Sequence, residues 1–206
     1  MSARQMDDNI SKFARLYRDA MKVKGFPLID EKTESYISRL REMYASQQYK
    51  EHNVAYPTMD VSTVYAVIAM CLELRRFGLS DNEIITFSEV AFNKRRAFFD
   101  RLIRIIDLLP NSYRIARKWN INDHAKRVVD HSITYDYFNV TKNSVTYRIS
   151  KCMYVEMFES YGIRELCKIF CDTDIRAYAG LTQHVRFIRH SDLSHGDCCC
   201  DEVHRK

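Results

Sequence analysis

The stretch TYDYFNVTKNSVTYRI, residues 134–149, marks the point where the hydrophobic pattern of the chain changes. Aromatic and β-branched residues on both sides of Thr141-Lys142-Asn143 indicate a β-hairpin. Before this stretch, apolar residues recur at helical spacing, and after it short helical segments alternate with strand patterns. The sequence therefore predicts an α+β fold, an N-terminal helical layer followed by a small antiparallel sheet with interspersed short helices.

Helical patterns fill the chain before the hairpin. The predicted helices cover residues 10–21, 31–48, 61–74, a long segment from the capping box Ser80/Glu83 to Leu109, and 112–129. The helix over 61–74 is apolar on nearly all sides and is expected to be buried. Residues 1–131 are thus predicted to be mainly a helical scaffold.

The elements predicted after the hairpin are short. They are a helix over 153–161 ended by Gly162, helical pieces over 163–170 and 173–179 that break around Cys171, and a strand pair, 185–189 and 198–203. No linker separates two hydrophobic blocks, so residues 1–206 are predicted to form a single domain whose functional motifs lie in 132–206.

The amino-acid composition indicates the general class of protein and excludes several kinds of partner. The chain has 46% hydrophobic and 29% charged residues and a formal charge of +5 spread along its length, which indicates a globular protein and no nucleic-acid partner. Seven cysteines without a signal segment predict a cytoplasmic protein, and no apolar run is long enough for a membrane span. There is no glycine-rich nucleotide loop, so no cofactor is expected, and no oligomeric state is predicted.

Cys171 is the first candidate site residue. A break between two helical pieces would place its thiol at a helix N-terminus, which favours the thiolate, although a buried structural cysteine is the alternative. Asp174 is placed to act as a general base or to pair with a cationic substrate. The alternative for Asp172 and Asp174 is capping of the following helix.

Four further positions are candidates for substrate binding or catalysis. Glu156 lies one helical turn after Cys152, so the two can face one pocket, but an exposed helix carboxylate is equally compatible with the pattern. Arg189 closes an apolar strand, where it can hold a substrate carboxylate or pair with a neighbouring aspartate. His195 lies in the turn before the last strand, where histidine is more often simply exposed.

The C-terminal cysteines invite a metal interpretation that their spacing does not support. Cys198, Cys199 and Cys200 lack the paired Cys-x-x-Cys spacing of zinc sites, and on a strand Cys199 faces away from the other two. No metal is therefore predicted, and a metal-dependent hydrolase using Cys200 and His195 is a minor alternative.

Several short motifs follow in a fixed order: Ser150-Lys-Cys-Met-Tyr-Val-Glu156, Gly162, Cys171-Asp-Thr-Asp174, and Arg189-His-Ser-Asp-Leu-Ser-His-Gly196 leading to Cys200-Asp201. Together they resemble the L-2-amino-thiazoline-4-carboxylic acid hydrolase family. The chain departs from the family pattern at Asp192 and Glu202, and Cys198 and Cys199 are additional. These departures leave open a substrate other than that of the namesake.

The resemblance implies hydrolytic opening of a small sulfur- and nitrogen-containing ring, for the namesake to N-carbamoyl-L-cysteine. On this basis Cys171 is assigned as nucleophile or thiol donor near the reacting carbon, Asp174 and Glu156 as base and amidinium partner, and Arg189 as carboxylate anchor. Cys152, His195, Cys200 and Asp201 would line the pocket of this small-molecule substrate. The alternatives are an enzyme of the same fold acting on another heterocycle in a biosynthetic pathway, and a ligand-binding or sensory domain without turnover.

Overall fold

The α+β prediction is confirmed, with the helices preceding an antiparallel sheet. The computed structural model describes residues 3–196 and 198–206. Its helices are α1 (Ala3–Val23), α2 (Ile29–Ala45), α3 (Gln47–Ala55), α4 (Thr58–Arg76), α5 (Asp81–Ala91), α6 (Asn93–Asp107), α7 (Ser112–Val129), α8 (Met153–Glu159) and α9 (Lys168–Ala179), with a short 3-10 helix at Arg164–Cys167. The strands are β1 (Ile133–Val140), β2 (Ser144–Cys152), β3 (Val185–Ser191) and β4 (Cys199–Arg205).

The backbone divides into two compact units, one ending at Asn93 and the other running from Lys94 to Lys206. The first unit is helical, and α4 is buried on nearly all sides, as its sequence predicts. Within the described residues, no helix combines the length and the apolar character that a membrane crossing requires. All predicted site residues belong to the second unit.

Two predicted helix boundaries in the N-terminal half are wrong. A further helix, α3, follows the second predicted helix because the Ser46 side chain accepts a hydrogen bond from the Tyr49 backbone and starts a new helix there. The expected long helix after Ser80 breaks at Phe92, whose ring packs edge-on against Phe13 at 6.3 Å. The capping box itself is present, since Glu83 accepts a hydrogen bond from the Ser80 backbone at 2.8 Å.

The sheet has the order β1-β2-β4-β3 and is antiparallel throughout. Its inner face, defined here as the face that carries Val145, Tyr147 and Val203, packs against Tyr113 and Ala116 of α7. Residues directly paired across strands share a face. The pairing register therefore places one row on the inner face, running Phe138, Tyr147, Asp201, Arg189.

The predicted break around Cys171 is wrong. Helix α9 is continuous from Lys168 to Ala179, and the change in helix type falls earlier, at Lys168. Thr173 donates its hydroxyl to the Phe170 carbonyl at 2.6 Å, a bond made within the helix. Neither Asp172 nor Asp174 is an N-cap, and Cys171 does not lie at a helix N-terminus.

Candidate active site

One face of α9 carries the chemically active side chains. Cys167, Cys171, Asp174 and Tyr178 follow one another at intervals of four, three and four residues, so they lie along one face of the helix. Arg189 of β3 contacts this face, donating from Nη1 to the Cys171 carbonyl at 2.5 Å and from Nη2 to Asp174 Oδ2 at 3.3 Å. The helix is thereby joined to the inner face of the sheet.

The other side of Arg189 forms a buried ion pair. Its Nε lies 2.8 Å from Asp201 Oδ1 and its Nη2 lies 2.6 Å from Asp201 Oδ2, a two-pronged geometry. Tyr147 donates its hydroxyl to Asp201 Oδ2 at 2.9 Å, and burial raises the pKa of this phenol well above its usual value. Asp201 is 1% exposed, so its carboxylate depends on Arg189 and Tyr147 for the partners that water would otherwise supply.

Asp174 is open to solvent but has protein groups close by. Its side chain is 58% exposed, yet loss of solvation among the surrounding protein raises its pKa, against the opposing effect of the Arg189 charge. Asp123 of α7 and Asp201 also act electrostatically on this carboxyl group, and both raise its pKa.

The pKa values of Cys171 on α9 and of Cys167, the residue just before α9, are shifted in opposite directions. A hydrogen bond from Cys167 lowers the pKa of the Cys171 thiol, whereas the same bond and burial raise the pKa of Cys167 well above its usual value. Cys152, at the end of β2, lies within electrostatic range of Cys171, and burial raises its thiol pKa to about 11. Of these three thiols, Cys171 is therefore the one that loses its proton most readily.

These groups define what we call the thiol–carboxylate recess, bounded by Cys152, Cys171, Asp174, Tyr178 and Arg189. Asn120 of α7 donates to the Tyr178 hydroxyl at 2.5 Å and fixes that ring at the edge of the recess. Sequence reasoning missed Asn120, Tyr147, Cys167 and Tyr178. For Cys167 a signal existed, because four residues separate it from Cys171, but the incorrect helix break concealed it.

The structure brings together five of the eight sequence-predicted site residues: Cys152, Cys171, Asp174, Arg189 and Asp201. Glu156 is exposed on α8, as the alternative interpretation expected. His195 is 59% exposed in the turn before β4, where its Nδ1 lies 3.4 Å from Asp192. Cys200 lies on the outer face of the sheet, because it is adjacent to the inward-facing Asp201 in the strand.

The two departures from the family pattern differ in their position. Glu202 is on the outer face, where its carboxylate lies between His190 and His204, with Oε1 3.1 Å from His190 Nε2 and Oε2 2.6 Å from His204 Nε2. Asp192 accepts a hydrogen bond from the Ser194 backbone at 2.9 Å, and its charge raises the thiol pKa of Cys167 and of Cys171. Only the departure at Asp192 is therefore coupled to the recess.

Cys171, whose thiol pKa is lowered, and Asp174, whose carboxyl pKa is raised, lie three residues apart on one helix face. In the part of the chain that the structure describes, no three histidine, cysteine or carboxylate side chains are grouped so that they could hold a metal ion. A thiol and a carboxyl group with shifted pKa values are candidates for a functional site.

The family follows from a comparison with family models. The model described as L-2-amino-thiazoline-4-carboxylic acid hydrolase matches residues 63–203, and the chain belongs to that family. The match supports a hydrolase-like assignment and includes every residue of the thiol–carboxylate recess. A search of curated proteins found no match.

Proposed function

We propose that the chain hydrolyses a small cyclic amidine, opening a ring that contains sulfur and nitrogen, with 2-amino-thiazoline-4-carboxylate as the first substrate to test. The observation that carries the proposal is the pairing of Cys171 and Asp174 in the recess, with their pKa values shifted in the directions that nucleophilic and acid–base catalysis require. Membership of the family supports the substrate class.

In the proposed reaction, the Cys171 thiolate adds to the ring carbon that lies between nitrogen and sulfur. The ring carbon–sulfur bond then breaks, and the departing sulfur takes a proton from Asp174, leaving the amidine carbon bound to Cys171. Water adds to this carbon while Asp174 accepts its proton, and the bond to Cys171 breaks. The net change is the addition of one water to the substrate, and both protein groups return to their starting states.

Arg189 has a different role in this proposal from the carboxylate anchor that the sequence suggested. Its Nε, one hydrogen of Nη1 and both hydrogens of Nη2 are donated to Asp201, Cys171 and Asp174. We assign it as a positioning residue that holds the Asp174 carboxylate and the Cys171 backbone in place. The raised pKa of Asp174 keeps this carboxyl group able to exchange protons despite the neighbouring positive charge.

The test is incubation of the full chain with 2-amino-thiazoline-4-carboxylate and related cyclic amidines, with the mass gain of one water as readout. Cys171→Ala and Asp174→Asn are expected to abolish turnover. Asp172→Asn is the matched control, because this neighbouring carboxylate lies 3.1 Å from Lys168 Nζ in an ordinary helix pair and should leave the rate unchanged.

Parental turnover by folded Cys171→Ala would overturn the assigned mechanism. Binding of ring compounds without any product would favour the ligand-binding alternative instead. Turnover of a different heterocycle, with the namesake compound untouched, would retain the mechanism and identify another substrate.

A further inference from the structure

The outer face of the sheet carries a second pair of thiols that the proposed hydrolysis does not use. Cys198 immediately precedes β4 and Cys200 is the second residue of that strand, whereas Cys199 and Asp201 point inward. The sulfur atoms of Cys198 and Cys200 are 3.6 Å apart, and both side chains are half-buried, so reagents in solution can reach them.

The neighbouring groups give these two thiols different pKa values. Ser191 Oγ lies 3.6 Å from Cys198 Sγ, and Arg148, whose strand position pairs with Cys200, adds a positive charge on the same face. Hydrogen bonds from Ser191 and Cys200, together with Arg148, lower the pKa of the Cys198 thiol, while burial raises that of Cys200. Of the two thiols, Cys198 therefore loses its proton more readily and is the better placed to attack first.

Arg148 is itself held in place on this face. Its Nε lies 3.2 Å from Asp136 Oδ2 of the neighbouring strand β1, an ion pair on the face that carries the two thiols. Cys199, the cysteine between these two, has a different environment. Cys199 is buried on the inner face with its Sγ 3.6 Å from Asp201 Oδ2, and burial raises its thiol pKa, so it should be unreactive.

We propose that Cys198 and Cys200 form a modification site, a reactive dithiol that a small disulfide of the glutathione class oxidises to an intrachain disulfide. The Cys198 thiolate attacks one sulfur of the reagent, forming a mixed disulfide and releasing one thiol. Cys200 then attacks the Cys198 sulfur, releasing the second thiol as its own proton is lost. Two protein thiols are oxidised and one reagent disulfide is reduced. This inference does not depend on the proposed hydrolysis.

Trypsin digestion can test this proposal, because its cleavage sites place the cysteines on different peptides. Trypsin cleaves after Lys151, Arg164, Lys168, Arg176, Arg189 and Arg205, so Cys152, Cys167 and Cys171 each lie on their own peptide, and the three adjacent cysteines lie together on 190–205. The folded chain is treated with glutathione disulfide, its remaining thiols are alkylated, and the digest is analysed by mass spectrometry. We expect the 190–205 peptide to lose two alkylatable thiols and to regain them after treatment with a dithiol reductant.

The variants assign the roles within the pair. Cys200→Ser should trap glutathione on Cys198, Cys199→Ala should react as the parent does, and Cys198→Ser should slow the first step by about tenfold or more. Hydrolysis measured on the same samples is a separate readout. The proposal is overturned if the 190–205 peptide keeps three alkylatable thiols while the recess cysteines react, or if Cys199→Ala prevents the disulfide.

Discussion

At the scale of the residue, Arg189 shows how one charged side chain can join several protein groups. One guanidinium joins a fully buried carboxylate, a solvent-reached carboxylate and a helix carbonyl. The sequence offered two partners for Arg189, a substrate or a neighbouring aspartate, and the structure pairs it with Asp201, the residue opposite it in the sheet. No single-residue pattern could predict this, because β3 and β4 are separate segments whose register is not visible in the sequence.

Loss of the buried carboxylate should destabilise the protein strongly. Asp201→Asn leaves the Arg189 charge without its two-pronged partner, so we expect the free energy of unfolding to fall by about 3 kcal/mol. Chemical denaturation measures the change. Asp30→Asn is the control, because its partner Arg18 and Asp30 itself are both largely exposed, and it should change stability by about 0–1 kcal/mol. Equal effects of the two substitutions would contradict the structural role of Asp201.

Replacing Asp174, unlike replacing Asp201, should not destabilise the protein. The pKa of Asp174 is raised in the folded state, so the folded chain binds the carboxyl proton more tightly than the unfolded chain does. The free energy of unfolding should therefore fall as the pH rises from the pKa of the unfolded state through the pKa of the folded state. We expect Asp174→Asn to be at least as stable as the parent at neutral pH and to lose that part of the pH dependence. Thermal unfolding between pH 3 and 8 tests this, and a strongly destabilised variant would contradict it.

The hydrogen bond between Cys167 and Cys171 should be visible in thiol reactivity. Cys167→Ala removes the donor that lowers the Cys171 thiol pKa, so alkylation of Cys171 should shift to higher pH, whereas Cys167→Ser keeps a donor and should restore the profile. The tryptic peptide 169–176 reports on Cys171 alone. Identical pH profiles for the alanine variant and the parent would exclude this positioning role.

At the scale of the element, local patterns predicted most of the structure. The hairpin, the buried helix α4 and the helix α7 follow directly from their periodicity, and Gly162 adopts a φ of 67° after α8, a conformation that favours glycine. The sequence pattern did not reveal the helix boundaries at Ser46 and Phe92, because neither position is a proline or glycine or lies next to one. Serine also occurs within helices, and Phe92 is placed by its packing against Phe13.

Gly180 follows α9, and a side chain is disfavoured there for a different reason than at Gly162. A β-carbon at Gly180 would lie 2.6 Å from Cγ2 of Ile103, whereas nothing lies within 4 Å of one at Gly162. We expect Gly180→Ala to cost about 1–3 kcal/mol through overpacking, and Gly162→Ala to cost about 1–2 kcal/mol through its backbone conformation. Chemical denaturation of single and double variants would distinguish the two causes.

The distinguishing substitution is Ile103→Ala. It should relieve part of the cost of Gly180→Ala, giving a non-additive double variant, while its effect should add to that of Gly162→Ala. Additive behaviour of the Gly180 pair would show that the close approach to Ile103 is not what excludes a side chain there.

At the scale of the whole molecule, the recess combines α7, α9 and three strands of the sheet, which the sequence shows only as separate motifs. The predicted motifs lie in the segment that forms the recess: four of the predicted residues bound it, and Asp201 pairs with Arg189. Asn120 lies before all of those motifs and contacts Tyr178, 58 positions later in the chain. Contacts of this kind depend on tertiary packing, and hydrophobic periodicity does not report them.

The prediction that residues 1–206 form one domain can be tested by unfolding. Trp119, the single tryptophan, reports on the unit that begins at Lys94, while far-ultraviolet circular dichroism includes the helices of both units. For a single domain we expect the two transitions in denaturant to coincide. Two separated midpoints would mean that the units are independent domains, in which case the first could unfold while the recess persists.

The alternation of side chains in β4 constrains how this protein can change during evolution. Successive residues of the strand serve opposite faces, with Cys199 and Asp201 inside and Cys198 and Cys200 outside. Inserting or deleting one residue here would exchange the two sets, placing a thiol beside Arg189 and exposing the aspartate. Homologues should therefore differ in the identity of residues in this strand far more readily than in its length, and surviving length changes should fall in the turn before it.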